Sequence, residues 1–455
     1  MRKLIFVLVC HSLFASNLTA QQKRIFNETD TQKKQRMSWW QDARFGMFIH
    51  WGLYSMAARH EWVRNHEHIT NEAYEKYFDL FNPDEFDAKK WAKAAKAAGM
   101  KYAVLTTKHH EGFCLFDSKY TDYKSVKTPA KRDLVKEYVD AFRAEGIKIG
   151  FYYSLIDWHH PDFPIDGVHP QRLDKDAPDS AWDRINKGRD MSKYRTYLYN
   201  QVTELLTKYG KIDIIWLDFS YPGKRGKDKN DWNSVGLLKQ IRKLQPNIIV
   251  DNRLNLEEYS DGQDFETPEQ VGPEELVKYR GKTWETCQTF SGSWGYYRDE
   301  HSWKTNRQLL DLLITSTANG GNLILNVGPT GRGQFDYRAT RALDSMSLWM
   351  KLNSRSIYGC TYAPDGFDAP KGTRLTYNAA TKRLYLHLFD YPESTITLKG
   401  YGGRIQYAQF LHDGSEIQTL DKAAITQATA GSDIVLSVPK DKPPVEVPVI
   451  ELFLK

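Results

Sequence analysis

Short apolar runs alternating with helical patterns constrain this chain more than any other feature. The runs are "RFGMFIHWG" (44–52), "YAVLTTKHH" (102–110), "IKIGFYYSLIDW" (147–158), "IDIIWLDF" (212–219), "NIIVDNRL" (247–254), "KTWETCQTF" (282–290) and "NLILNVGPTG" (322–331). Helical patterns fall between most of them, at 88–98, 133–145, 193–210, 232–243, 305–318 and 337–352. In 193–210, Leu198, Val202, Leu205 and Tyr209 recur at helical spacing and Gly210 supplies the stop. Apolar strands that alternate with helices predict a parallel sheet covered by helices. Seven or eight such units favour a (β/α)8-like barrel over an open sheet.

The texture changes after about Ser356. "RLTYNAATKRLYLHLFDY", "SDIVLSVP" and "VIELFLK" alternate or run as short strands, with Gly, Asp and Pro between them. This predicts an α/β chain with a catalytic barrel over 21–355 and a C-terminal antiparallel β-sandwich over 356–455. Before both, "MRKLIFVLVCHSLFASNLTA" has a basic start, a short apolar run and then small and polar residues. That is the pattern of a signal peptide over 1–20, too short in its apolar part for a membrane span. The expected mature protein is periplasmic or secreted. It keeps Cys114, Cys287 and Cys360, which cannot all pair, so disulfides are not its scaffold.

A formal charge of +6 on 455 residues, with both signs interspersed, gives no electrostatic case for nucleic acid or membrane partners. The 13 Trp and 26 Tyr include candidates for platforms under sugar rings, although most such residues serve the core.

Chemistry in a barrel sits where strands give way to the loops that follow. Here the exits carry His50, Lys108-His109-His110, Tyr152-Tyr153-Ser154 with Asp157, Trp216 with Asp218, Asn252-Arg253, Trp284-Glu285 and Asn326. So many polar and aromatic exits predict a pocket at that rim. Asp218 stands out, because it ends one of the most apolar strands, and an unpaired buried charge costs several kcal/mol.

A metal site is one rival reading, given His50, His109, His110 and Asp218. Neighbours on a regular strand point to opposite faces, so His109 and His110 share a site only where the backbone leaves β geometry. No HxH, HExxH or Cys-rich spacing supports a metal, and no cofactor is expected. There is no G-x-S-x-G elbow for a Ser nucleophile, and "GPTGRG" lacks the Lys-Ser/Thr ending of a P-loop. Carboxylates beside Trp, Tyr, His and Arg suit glycoside hydrolysis, in which an anion faces the anomeric carbon, an acid protonates the leaving oxygen, and His and Arg bind hydroxyls.

Taken in order, "RFGMFIHWGLYS", "TTKHHEGFCLF", "GFYYSLIDW", "IIWLDFS", "DNR", "WETCQTF", "SWGY" and "GGNLILNVGPTGRG" resemble the retaining α-L-fucosidase family, glycoside hydrolase family 29, from about Trp39 to Asn353. The resemblance implies a barrel followed by a β-sandwich, and an exo-acting hydrolase that removes terminal α-L-fucose from glycans with retention and without a metal. It puts the nucleophile on Asp218. It puts sugar contacts on His50, Trp62, His109, His110, Tyr153, Trp216 and Arg253, and aromatic positions near the sugar's C5 methyl on Phe48 and Trp294.

For the general acid there are three candidates: Glu269 and Glu266 in "DFETPEQ", and Glu285 in "WETC". Glu269 is the first choice, since a loop position suits lateral approach to the leaving oxygen, and "DFETPE" resembles the acid/base block of part of the family. Glu285 is the second. Leaving-group selection is assigned to loops around 59–70, 159–190 and 220–232. The alternatives are an exo-glycosidase for another fucose-like sugar such as an α-L-galactoside, and a sugar-binding protein on a decayed hydrolase scaffold.

Overall fold

The computed structural model describes residues 23–455, and the expected signal peptide at 1–20 lies outside them. All the anticipated barrel strands form: β1 (Phe45–Ile49), β2 (Tyr102–Lys108), β3 (Lys148–Ser154), β4 (Ile214–Asp218), β5 (Ile249–Val250), β6 (Glu285–Thr289) and β7 (Asn322–Val327). They make one parallel sheet in the order β5-β4-β3-β2-β1-β7-β6. Helices at Ala88–Ala97, Leu134–Ala144, Met191–Lys208, Ser234–Leu244, Asn306–Ala318 and Tyr337–Asn353 match the helical patterns of the sequence.

The gap between β5 and β6 is filled by 264–270, an irregular eighth staff. Asp264 N donates to Val250 O (2.8 Å) on one side, while Glu285 N donates to Glu266 O (2.9 Å) and Gln270 N to Cys287 O (3.0 Å) on the other. Parallel bridges pair Glu266 with Trp284 and Glu269 with Cys287. Three acids and Pro268 leave this stretch without an apolar run, so it has no strand signature even though it closes the wall.

Alternation along the strands sorts the layers. Phe48, Val104, Tyr152, Ile214, Trp216, Ile249, Phe265, Cys287 and Ile324 point inward and form one cluster. Phe45, Met47, Ile49, Leu105, Phe151, Tyr153, Ile215, Leu217, Leu323 and Leu325 point outward and pack in the main core with the helices. Gly46 lies on the inner face, where a Cβ would come within 2.2 Å of the Tyr102 ring; glycine gives that phenol its path across the barrel.

The N-terminal end of the barrel is plugged by a helix at Asp30–Ala43, started by a capping box between Thr29 and Gln32. Met37 and Trp40 of this helix join the interior cluster. Its buried Arg36 pairs with Asp264 (2.7 Å) and so ties the plug to the closing segment. The helix is polar in composition, and apart from its capping box no apolar periodicity in the sequence marks it.

In the C-terminal region, β8 (Thr373–Asn378), β9 (Arg383–Leu388), β10 (Thr395–Leu398), β11 (Ile405–Phe410), β12 (Ile434–Ser437) and β13 (Val449–Leu454) form two antiparallel sheets. Their orders are β11-β13-β9-β8 and β10-β12, and a separate apolar core lies in this region. Trp349 on the last barrel helix donates to Val447 O (2.9 Å), which fixes the sandwich to the barrel. Among the described residues no helix is long and apolar enough to cross a membrane.

Candidate active site

A pocket of about 700 Å³ opens at the C-terminal rim and is lined by Phe48, His50, Trp62, His109, His110, Tyr152, Trp216, Asp218, Arg253, Glu269 and Trp294, among others. Eight of the nine substrate-contact positions expected from the sequence therefore face one cavity; Tyr153 does not.

Tyr153 is fully buried on the outer face of β3, and its Oη donates to Gln201 Oε1 (2.8 Å). Its neighbour Tyr152 takes the place in the pocket, donating to Asp218 Oδ2 (2.7 Å). A shift of one residue on a strand reverses the face. Tyr152 is in register with Trp216, and Ser154 with Asp218, so the inward residues of β4 select Tyr152.

Asp218 ends β4 with its side chain only slightly exposed. Besides Tyr152, Arg253 Nη1 donates to its Oδ1 (3.3 Å), and His110 Nε2 lies 3.8 Å from Oδ2. Burial raises its pKa to about 6; the Arg253 charge opposes this, and Glu269 adds to it. The carboxylate is thus mostly ionised at neutral pH while partly stripped of water. Asp251 positions it from below. The β4–β5 ladder stops at Ile215 and Val250, and Asp251 Oδ1 accepts the next free amide, Leu217 N (3.1 Å).

Arg253 spans two acids: Nη2 donates to Glu269 Oε2 (2.8 Å) while Nη1 reaches Asp218, and Nε is held by Thr267 Oγ1 (2.9 Å). Its guanidinium also lies 4.9 Å from the Trp216 ring centre. Along the closing segment Phe265 points into the interior cluster, so Thr267 and Glu269 follow on the same face. Glu266 has the opposite parity, pairs with Lys282 (3.0 Å) and does not line the pocket.

Glu285, the second choice for general acid, is corrected by the structure. It is the first residue of β6, level with Asn322 at the start of β7, so it sits at the floor of the barrel and not at its exit. It is 1% exposed and accepts a hydrogen bond from Tyr102 Oη. "WETC" placed it at the wrong end, because the run was read as ending where it begins.

The histidines are neutral donors and acceptors. Burial lowers the pKa of His50 to about 3, and lowers His109 and His110 well below the usual imidazole value. Asn326 Nδ2 is occupied by Trp294 O (2.7 Å), so its Oδ1 accepts from His50 Nδ1 (2.6 Å) and leaves Nε2 as an acceptor. Ser154 Oγ donates to Ile156 O (2.7 Å) and so accepts from His110 Nδ1 (2.7 Å), which leaves His110 Nε2 as an acceptor toward the cavity. Both His109 and His110 reach the pocket because β2 ends at Lys108, after a register shift, and the chain turns. Their ring centres are 4.1 Å apart.

Aromatic rings complete the walls. The Phe48 ring centre is 5.4 Å from Trp216 and 6.0 Å from Trp294, and Tyr152 stacks on Trp216 at 5.9 Å. Trp62 meets His110 edge to face at 5.3 Å.

Sequence reasoning missed Glu61. It is 2% exposed, lines the pocket, and its Oε2 accepts from Trp294 N (3.1 Å) and Gly295 N (2.8 Å); burial raises its pKa to about 7. The one available signal was its place in "HEWV" beside Trp62. What puts it in the wall is the turn at His60, whose φ is 87°, and no pattern announces that turn.

An anion, an acid joined to it through one arginine, neutral imidazoles and a ring of aromatics form a site for cleaving a glycosidic bond. Comparisons with known proteins agree. The family model "Alpha-L-fucosidase" matches residues 12–355. Human plasma α-L-fucosidase is 30% identical over 350 residues, covering 71% of this chain and 70% of that protein. α-L-Fucosidase isoenzyme 1 from Paenibacillus thiaminolyticus superposes with a TM-score of 0.82 at 43% identity, covering 93% of this chain and 99% of that one. A Bacteroides thetaiotaomicron α-L-fucosidase, trapped as a covalent intermediate with 2-fluoro-fucosyl fluoride, superposes at 0.78 with 30% identity over 96% and 98% of the two chains. The chain belongs to the α-L-fucosidase family of glycoside hydrolases.

Proposed function

We propose that the protein is an exo-acting, retaining α-L-fucosidase in which Asp218 is the nucleophile and Glu269 the acid/base. The observation that carries this reading is the fork of Arg253, which holds both carboxyls at one pocket. Asp218 attacks the anomeric carbon while Glu269 gives a proton to the departing oxygen. Water, activated by Glu269, then cleaves the fucosyl ester. Arg253 stays protonated despite burial because both carboxylates face it.

His50, His109, His110, Trp62 and Trp216 contact the sugar's hydroxyls and ring, and Phe48 with Trp294 walls its methyl group. Incubation with 2-fluoro-fucosyl fluoride labels Asp218, and proton NMR of the first product shows α-L-fucose. A label on another acid removes Asp218 from the role, and initial β-L-fucose overturns retention.

The fucose-like alternative turns on Trp294. If it packs on the C5 methyl, Trp294→Ala costs about 1–3 kcal/mol in transition-state binding of fucosides, the worth of one such contact, and less for L-galactosides. Equal losses on both substrates place Trp294 elsewhere.

The division into a barrel to residue 355 and a sandwich from 356, and a periplasmic or secreted location after removal of 1–20, are part of the same reading. The basic and apolar N-terminal pattern supports export. Cleavage after Ala20 gives an exported protein whose N-terminal sequence starts at Gln21, and a start at any other residue would overturn the cleavage position.

A further inference from the structure

One strained residue at the pocket mouth is not explained by the chemistry. Phe219 directly follows Asp218 and has φ of 87°, a left-handed region that a bulky aromatic rarely occupies. The turn itself has a clear purpose, since it swings the chain away from the strand once Asp218 has been aimed inward. Glycine would make that turn without the cost of a Cβ. The ring must therefore answer to something other than the turn.

Phe219 is half-buried and lines the pocket. One side of the ring is fixed: its centre lies 5.5 Å from Trp62, 5.0 Å from His110 and 4.9 Å from Tyr221. The surrounding loops are braced as one rim. Asp166 accepts from both Tyr221 Oη and Lys227 Nζ, Gly167 N donates to Arg225 O (2.9 Å), and Pro170 O accepts from His68 Nδ1 (2.8 Å). Segments near 60–68, 164–170 and 219–227 thus hold the ring in place before any ligand arrives.

The same pocket also has polar lining in the exposed Glu269 and in Lys304, whose ammonium is held by Thr289 O (2.8 Å). A leaving group that takes its proton from Glu269 departs through a pocket that offers it both an aromatic shelf and polar groups. A pyranose has one face of C–H groups, which suits an aromatic ring, and hydroxyls at its edge.

We infer that Phe219, backed by Trp62, forms the leaving-group subsite and takes the apolar face of a pyranosyl residue to which fucose is attached. This rests on the fucosidase reading and deepens it: Phe219 is the residue that discriminates a ring-shaped leaving group from a small or flexible one.

The test compares kcat/KM on a fucosyl disaccharide with kcat/KM on α-L-fucosyl fluoride, whose leaving group has no ring. In Phe219→Ala the ratio of the two falls about tenfold, the lower end of what one hydrophobic contact discriminates. Phe219→Tyr, which keeps the ring, holds the ratio within about twofold of wild type. Phe219→Gly gives the same loss of ratio as alanine but with a higher melting temperature than alanine, because the turn is relieved. If alanine does not fold, glycine and tyrosine still decide the matter. Equal losses on both substrates would reduce Phe219 to a structural role and overturn the inference. Wild-type protein that leaves fucosyl fluoride intact would overturn the fucosidase reading instead.

Discussion

At the rim of the barrel, Asp218 faces an open pocket with Tyr152, Arg253 and His110 around it; at the floor, Glu285 faces Tyr102 beneath the plug helix and does not line that pocket. Both are inward-pointing acids at a strand end, and burial raises the pKa of both, to about 6 for Asp218 and about 7 for Glu285. The difference is in what surrounds them. The rim supplies a cation that keeps Asp218 ionised, a second acid and room for a sugar. The floor supplies a phenol donor and walls of tryptophan. A buried carboxyl with a shifted pKa is therefore not by itself a catalytic one.

Mutation separates the two ends. Asp218→Ala should lower kcat on fucosides by on the order of 10⁴-fold or more with an unchanged circular dichroism spectrum, since only the covalent step needs that carboxylate. A variant of near wild-type rate breaks the assignment of the rim.

Next comes the contrast between the candidate acids. Glu269→Ala should lose about 10²–10⁴-fold on substrates with poor leaving groups, keep most activity on activated aryl fucosides, and be rescued by azide as β-fucosyl azide. Glu285→Ala should show no leaving-group dependence. It should instead lose about 2–4 kcal/mol of stability in urea unfolding, from the cavity and the stranded Tyr102 hydroxyl. The reverse pattern would move the acid to the floor.

The two adjacent tyrosines sharpen the same boundary at smaller scale. Tyr152→Phe removes a donor to a charged group and should cost about 1.5–3 kcal/mol in kcat/KM. Tyr153→Phe removes the bond to Gln201 and should alter stability by about 1 kcal/mol with kcat/KM nearly unchanged.

The smallest effect is in pH. Above its ordinary value the folded Glu285 keeps its proton longer than the unfolded chain does, so its contribution is full below about pH 4.5 and is lost as pH rises through about 7. In Glu285→Gln the fall of melting temperature across that window should be shallower. The acid limb of kcat/KM, set near pH 6 by Asp218, should stay where it is. A shift of that limb would mean that floor and rim are electrically coupled.

The sequence by itself determined the strand and helix alternation, the place of the seven regular barrel strands, the β-rich C-terminal region and most of the pocket. These are local properties: apolar periodicity, turn residues, and polar side chains at strand ends. It also determined that His109 and His110 could meet only if the strand broke there, and β2 does end at Lys108. Tertiary structure decided what depends on partners distant in the chain. Whether Tyr152 or Tyr153 faces inward follows from pairing with β4, 66 residues away at Asp218. Which end of β6 holds Glu285 follows from register with β7, and the standing of 264–270 as the eighth staff follows from its neighbours on both sides. Glu61 enters the wall only because the His60 turn brings it under the amides of Trp294 and Gly295, 234 positions away at the latter. Period-two alternation says that neighbours on a strand face opposite ways, but only packing against another strand says which of them faces in.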